Sequence, residues 1–142
     1  MHPTSHRFAQ PLIRALVLAA ASLCLSWSAW AGDTTPMQQL TYWSAQASAP
    51  GNALNGKVFF MARHGGEWSC ASCHGNPPVK PGQHASTGKE IAPLAPAANP
   101  LAFTSTARVD KWFRRNCKDV LDRECSATEK ADVLAYLITL KP

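Results

Sequence analysis

The chain has 142 residues, with 14 Lys or Arg against 9 Asp or Glu and a formal net charge of +5. That length allows one small domain and excludes two ordinary ones. The positive excess is mild and mostly scattered, so no nucleic-acid partner is expected.

Residues 1–31 read as a segment to be removed. Arg7 and Arg14 make a positive start without an acidic residue, and residues 15–25 (ALVLAAASLCL) form a short apolar run. Ala29-Trp30-Ala31 then supplies the small-x-small pattern of a signal-peptidase site. The run is shorter than the roughly 20 apolar residues a bilayer span needs, so no membrane span is expected after cleavage. Cys24 follows Leu23 rather than a small residue, which argues against a lipid anchor. The expected domain is residues 32–142, exported to an oxidising compartment where disulfides persist. It retains Cys70, Cys73, Cys117 and Cys125.

In chain order, residues 37–47 read as a short helix with Leu40 and Trp43 on one face, ended by Pro50-Gly51. Residues 53–63 read as a second helix with Leu54, Val58 and Met61 on an inward stripe, stopped by His64-Gly65-Gly66. Residues 75–100 are dense in proline and glycine, and a loop without regular elements is expected. A helix over residues 107–118 follows, capped by Ser105 or Thr106, with Val109, Trp112 and Phe113 apolar. Ser126-Ala127-Thr128-Glu129 is a capping box, opening a helix to about residue 140 with Val133, Leu134, Leu137 and Ile138 inward. The fold class is all-α: four or so helices and one long loop, with a core thin enough to need an apolar guest.

Cys70-Ala71-Ser72-Cys73-His74 names the guest. C-x-x-C-H is the attachment signature of haem c. One helical turn sets two thiols beneath two vinyl groups, and the next residue, His74, points an imidazole at the iron. A zinc site wants a second closely spaced ligand pair, and Cys117 and Cys125 are eight apart. A thioredoxin-like pair wants a preceding strand, and none is visible. One motif implies one haem. His64 lacks the cysteines and reads as a polar residue at a helix end.

The sixth iron ligand is less plain. Electron-carrying cytochromes c commonly use a methionine, but none follows Met61, and Met61 reads as packing. His84 is a candidate, or else a solvated loop residue. Asn116 is another, although an asparagine near a helix end is more often a cap. Cys117 and Cys125 are the remaining even pair, with a disulfide the default in an exported chain. Lys111, Arg114, Arg115 and Lys118 are either a solvated helix face or a dock for an acidic partner.

Thr87-Gly88-Lys89-Glu90-Ile91-Ala92-Pro93-Leu94-Ala95-Pro96, Phe103-Thr104, Ala107-Arg108-Val109-Asp110-Lys111-Trp112 and Arg115-Asn116-Cys117 together carry a resemblance. So does Cys125, followed by Glu129-Lys130-Ala131-Asp132 and a Leu-Ala-aromatic-Leu helix. These segments resemble the SHP group (sphaeroides haem protein), oxygen-binding class I cytochromes c, over nearly all of residues 32–140. The resemblance implies a class I cytochrome c fold around one covalent haem c, Asn116 as distal ligand in the ferric state, and a Cys117–Cys125 disulfide beside it. It implies a periplasmic electron-transfer protein with a labile sixth ligand that lets O2 or NO bind, and a dihaem c-type cytochrome as redox partner. The alternative is a small haem enzyme, a peroxidase or an O2 or NO reductase. No catalytic residue is assigned, since the sequence offers no distal His/Arg pair beyond His84 and Arg114-Arg115. The added prolines and His84 in residues 76–86 depart from the group's pattern.

Overall fold

The structure is a computed structural model and describes residues 32–142. The expected signal segment lies outside the described residues. The first helix, α1, is Pro36–Ala47. The Thr35 hydroxyl accepts the Gln38 N–H at 3.2 Å, and Pro36 sits at the first turn, where its fixed φ suits a helix. Helix α2 is Ala53–Met61, capped by the Asn52 carboxamide, which accepts the Leu54 and Asn55 N–H groups. It ends where His64 Nε2 stands 2.9 Å from the Phe59 carbonyl, satisfying one of the last turn's free oxygens.

A five-residue helix, α3, is Cys70–His74. The loop expected to be irregular holds a small antiparallel pair, β1 (Gly82–Gln83) and β2 (Glu90–Ile91), with Gly82 opposite Ile91. Two-residue strands need no hydrophobic alternation, so the proline-rich segment hid them. Helix α4 is Thr106–Leu121 and α5 is Ala127–Thr139. The fold is therefore all-α apart from that ladder.

Helix α5 is the axis of the domain. Both α1 and α2 pack along it. Leu134 and Leu137 are fully buried, and Phe60, Val133, Tyr136 and Leu137 form the core cluster. Lys130 lies buried with its ammonium 3.9 Å from the centre of the Trp43 ring, tying α5 to α1. The Asp132 carboxylate accepts the Asn52 N–H at 2.6 Å, placing an anion at the amino end of α2.

The expected inward stripe of α2 is corrected here. Leu54 and Val58 are 76% and 69% exposed and Met61 is exposed too, whereas Gly56 and Phe60 are buried. Helix α2 is apolar nearly all round, so periodicity could not choose its face. Gly56 does: a Cβ there would overlap the Asp132 carbonyl, so the two helix backbones meet at this point. Trp112 is likewise outside rather than in the core.

The capping box at α5 is present: Ser126 Oγ accepts the Glu129 N–H, and the Glu129 carboxylate accepts the Ser126 N–H at 2.7 Å. Arg123 adds a two-pronged pair to the same carboxylate, at 2.7 and 2.8 Å. The Arg123 hydrogen bond is the main cause holding Glu129 down at a pKa of about 2. A depressed carboxylate stabilises the fold above its unfolded pKa and loses that contribution as pH falls toward the folded value. Glu129→Gln should therefore cost about 1 kcal/mol at pH 7, for a partly exposed pair and cap. The difference from the parent should vanish between pH 4.5 and 2, as thermal melts across that window would show.

Candidate functional site

Cys70 to His74 fold into one turn because Ser69 caps it. Ser69 Oγ accepts the Ser72 N–H, and Ser72 Oγ accepts the Ser69 N–H at 2.9 Å. This closed pair fixes the turn that sets the two thiols on one side. Cys70 and Cys73 are unbridged, and both are partly covered. Burial is the main cause pushing the Cys70 thiol up to about 11, so it stays protonated at neutral pH. Cys70 and Ala71 pack on the core cluster, and the Phe60 ring centre lies 6.3 Å from that of His74.

Burial lowers the His74 pKa, which keeps the imidazole neutral and its lone pair available to a metal. Among the described residues its Nδ1 is buried without a hydrogen-bond partner. Strand β1 lies against α3, and a Cβ on Gly82 would overlap the Cys73 carbonyl. Gly82 is thus a site residue that sequence reading missed; Pro81-Gly82, a turn pair, was the available signal.

His84 belongs to the same side of the site. Its N–H donates to the Lys89 carbonyl at 2.8 Å, its Nδ1 accepts the Ser86 N–H at 3.3 Å, and the neighbouring Ala85 N–H reaches Cys73 Sγ at 3.3 Å. With Gly82, Gln83 and Cys73 it lines an open cleft of about 420 Å³ to which α4 contributes nothing.

Asn116 stands on α4. The helix continues five residues past it and is capped by Asp122 at φ 56°, so Asn116 is no cap, contrary to the sequence reading. Val109, Phe113, Asn116 and Val120 fall on one helical face. Val109 is buried, the other three are half-buried, and Phe113 touches the core cluster. Among the described residues the Asn116 carboxamide has no hydrogen-bond partner.

Helix α4 makes sparse contacts with the other elements among the described residues: Gln39 of α1 donates to the Thr106 hydroxyl at 3.3 Å, and Phe113 packs on the core cluster. It is held at its ends. Asp33 accepts the Thr106 N–H at 2.7 Å at one end, and at the other the Cys117 and Cys125 sulfurs are bonded. The half-buried stripe of Phe113, Asn116 and Val120 is the side of α4 on which a flat apolar body would be held. The free thiol pair, the neutral imidazole and this stripe all suit a covalently attached porphyrin. No three or more His, Cys, Asp or Glu side chains converge to hold a bare metal ion among the described residues.

Comparison with known proteins agrees. The model of a family described as a domain of unknown function (DUF1924) matches residues 46–137. The chain is 45% identical to the cytochrome c-type protein SHP of Cereibacter sphaeroides over 130 residues, covering 89% of this chain and 98% of that one. It is 38% identical to cytochrome c'' of Methylophilus methylotrophus over 118 residues, covering 75% and 82%. The solved structure of oxidised SHP, described as an oxygen-binding cytochrome c, superposes with a TM-score of 0.70 at 47% identity, covering 75% of this chain and 97% of that one. Oxidised cytochrome c'' superposes with a TM-score of 0.64 at 36% identity, covering 75% and 95%. These relatives are c-type cytochromes, and the cofactor is covalently bound haem c. The chain belongs to the SHP family of cytochromes c.

Proposed function

We propose that this chain is a periplasmic monohaem cytochrome that carries single electrons and binds a small gas, O2 or NO, when reduced. Residues 1–31 are the export signal, and 32–142 the cytochrome domain. Cys70 and Cys73 form the two thioethers, His74 is the proximal iron ligand and Asn116 the distal ligand in the ferric state. The partner is a redox protein, a dihaem c-type cytochrome. When bound, haem c supplies a ferric–ferrous couple whose potential is set by its axial ligands and surroundings.

The observation that carries this reading is Asn116 itself: a half-buried carboxamide on the inward stripe of α4, with no hydrogen-bond partner among the described residues. An amide oxygen is a hard, weak donor. With haem in place it would suit ferric iron and hold ferrous iron weakly, which would leave the position open to a gas on reduction. The Cys117–Cys125 bond braces the backbone one residue away. His84 is a poor competitor, because its hairpin is pinned beside Cys73 on the His74 side of the site.

Asn116→Ala should keep its haem but bind cyanide faster in the ferric state, since no side chain has to leave the iron first. The parent should bind carbon monoxide promptly once reduced. An unchanged cyanide-binding rate in the variant would pass the role of distal ligand to another residue.

A further inference from the structure

The positive charge of the domain sits on one helix. Of the 12 basic and 9 acidic residues in 32–142, α4 carries five basic (Arg108, Lys111, Arg114, Arg115, Lys118) and two acidic (Asp110, Asp119). The rest of the domain holds seven of each sign and is neutral. All five cations are exposed, and helical geometry turns them away from the Val109–Phe113–Asn116–Val120 stripe. Arg108, Lys111, Arg115 and Lys118 follow at intervals of three and four, forming a ridge. Among the described residues only Arg114 of the five has a carboxylate in ion-pair range, Glu124 at 3.8 Å with both ends in water.

Trp112 stands in the midst of this charge, 46% exposed. Lys111 Nζ and Arg115 Cζ each lie 5.4 Å from its ring centre. An indole held in water between two cations adds little to the core. It matches the chemistry of protein interfaces, where Trp and Arg anchor and surrounding charge steers the approach. An anionic membrane is the poorer fit, since the apolar stripe of α4 faces inward and leaves no apolar face to insert.

We propose that the outer face of α4, the ridge of Arg108, Lys111, Arg115 and Lys118 with Trp112 along its edge, is the docking surface for an acidic redox protein. The proposal rests on the electron-transfer reading above. One electron passes from the partner's reduced centre to ferric iron, the partner is oxidised by one electron, and no bond forms or breaks. The docked partner sits one helix thickness, about 10 Å, from the inward stripe that bears Asn116.

Stopped-flow reduction of the ferric holoprotein by fully reduced flavodoxin, a strongly acidic flavoprotein, tests this. The parent's rate should fall at least about tenfold between about 20 and about 500 mM salt. Lys111→Glu with Lys118→Glu should lose about tenfold at low salt and most of the salt dependence. Trp112→Ala should lose about threefold, the share of one anchor. Lys57→Glu with Lys141→Glu, the same charge change on exposed lysines elsewhere, should stay within about twofold. Equal losses in the two double variants would reduce the effect to net charge and overturn the proposal. A salt-insensitive flavodoxin rate, with phosphatidylglycerol vesicles bound through the same lysines, would overturn it in favour of a lipid surface. Reduction by neutral reduced riboflavin reports separately on the electron-transfer reading: failure there sinks that reading, whereas a normal rate there with no flavodoxin preference sinks only the docking surface.

Discussion

Replacing both Cys70 and Cys73 by alanine should leave no haem on the chain after boiling in detergent. The two thiols are free, share one turn and have no metal-ligand cluster to serve among the described residues. Either single variant keeps one thioether and should remain coloured, more faintly. The double variant should also fold poorly, because the half-buried stripe of Phe113, Asn116 and Val120 on α4 would lose the porphyrin proposed to pack on it. An in-gel stain for haem peroxidase activity, beside far-ultraviolet circular dichroism, reads both effects. A coloured band from the double variant would remove the covalent attachment on which the functional reading stands.

Gly56→Val should destabilise the protein by about 3 kcal/mol, the upper range for overpacking a tight contact. The new Cβ meets the Asp132 carbonyl at the α2–α5 crossing, with Tyr136 Cβ 3.0 Å away. Neither can yield cheaply, because Asp132 also holds the Asn52 N–H and Tyr136 belongs to the core cluster. A loss of that size is a large part of a small domain's stability. Leu54→Ala, on the exposed side of the same helix, should change stability by less than about 0.5 kcal/mol. Urea titrations of the two variants separate the faces. A larger loss for Leu54 than for Gly56 would restore the inward stripe read from periodicity.

The contrast between those residues shows what can be read along a chain. C-x-x-C-H lies within one turn, so local spacing alone announces the attachment site. The Ser126–Glu129 capping box is equally local, and α5 starts where it says. The face of α2 was hidden because Leu54, Val58, Phe59, Phe60 and Met61 surround the helix, and a backbone 76 residues away chooses among them. The ladder at Gly82 and Ile91 was hidden for a similar reason: its geometry comes from the Cys73 carbonyl, not from its own side chains. Asn116 looked like a helix end because the polar residues around it resemble a terminus. Val120, a turn further on, continues the inward stripe and carries the helix to Leu121.

The Asp33 carboxylate that receives the Thr106 N–H and hydroxyl has a practical consequence for anyone producing this protein. An affinity tag spliced directly ahead of Gly32 would crowd the acid that anchors α4 and so disturb the placement of Asn116 from the far end of its helix. The same tag fused after Pro142, which is exposed and two residues beyond the α5 cap at Leu140, leaves Asp33 uncrowded and should leave the spectra of the purified material unaltered.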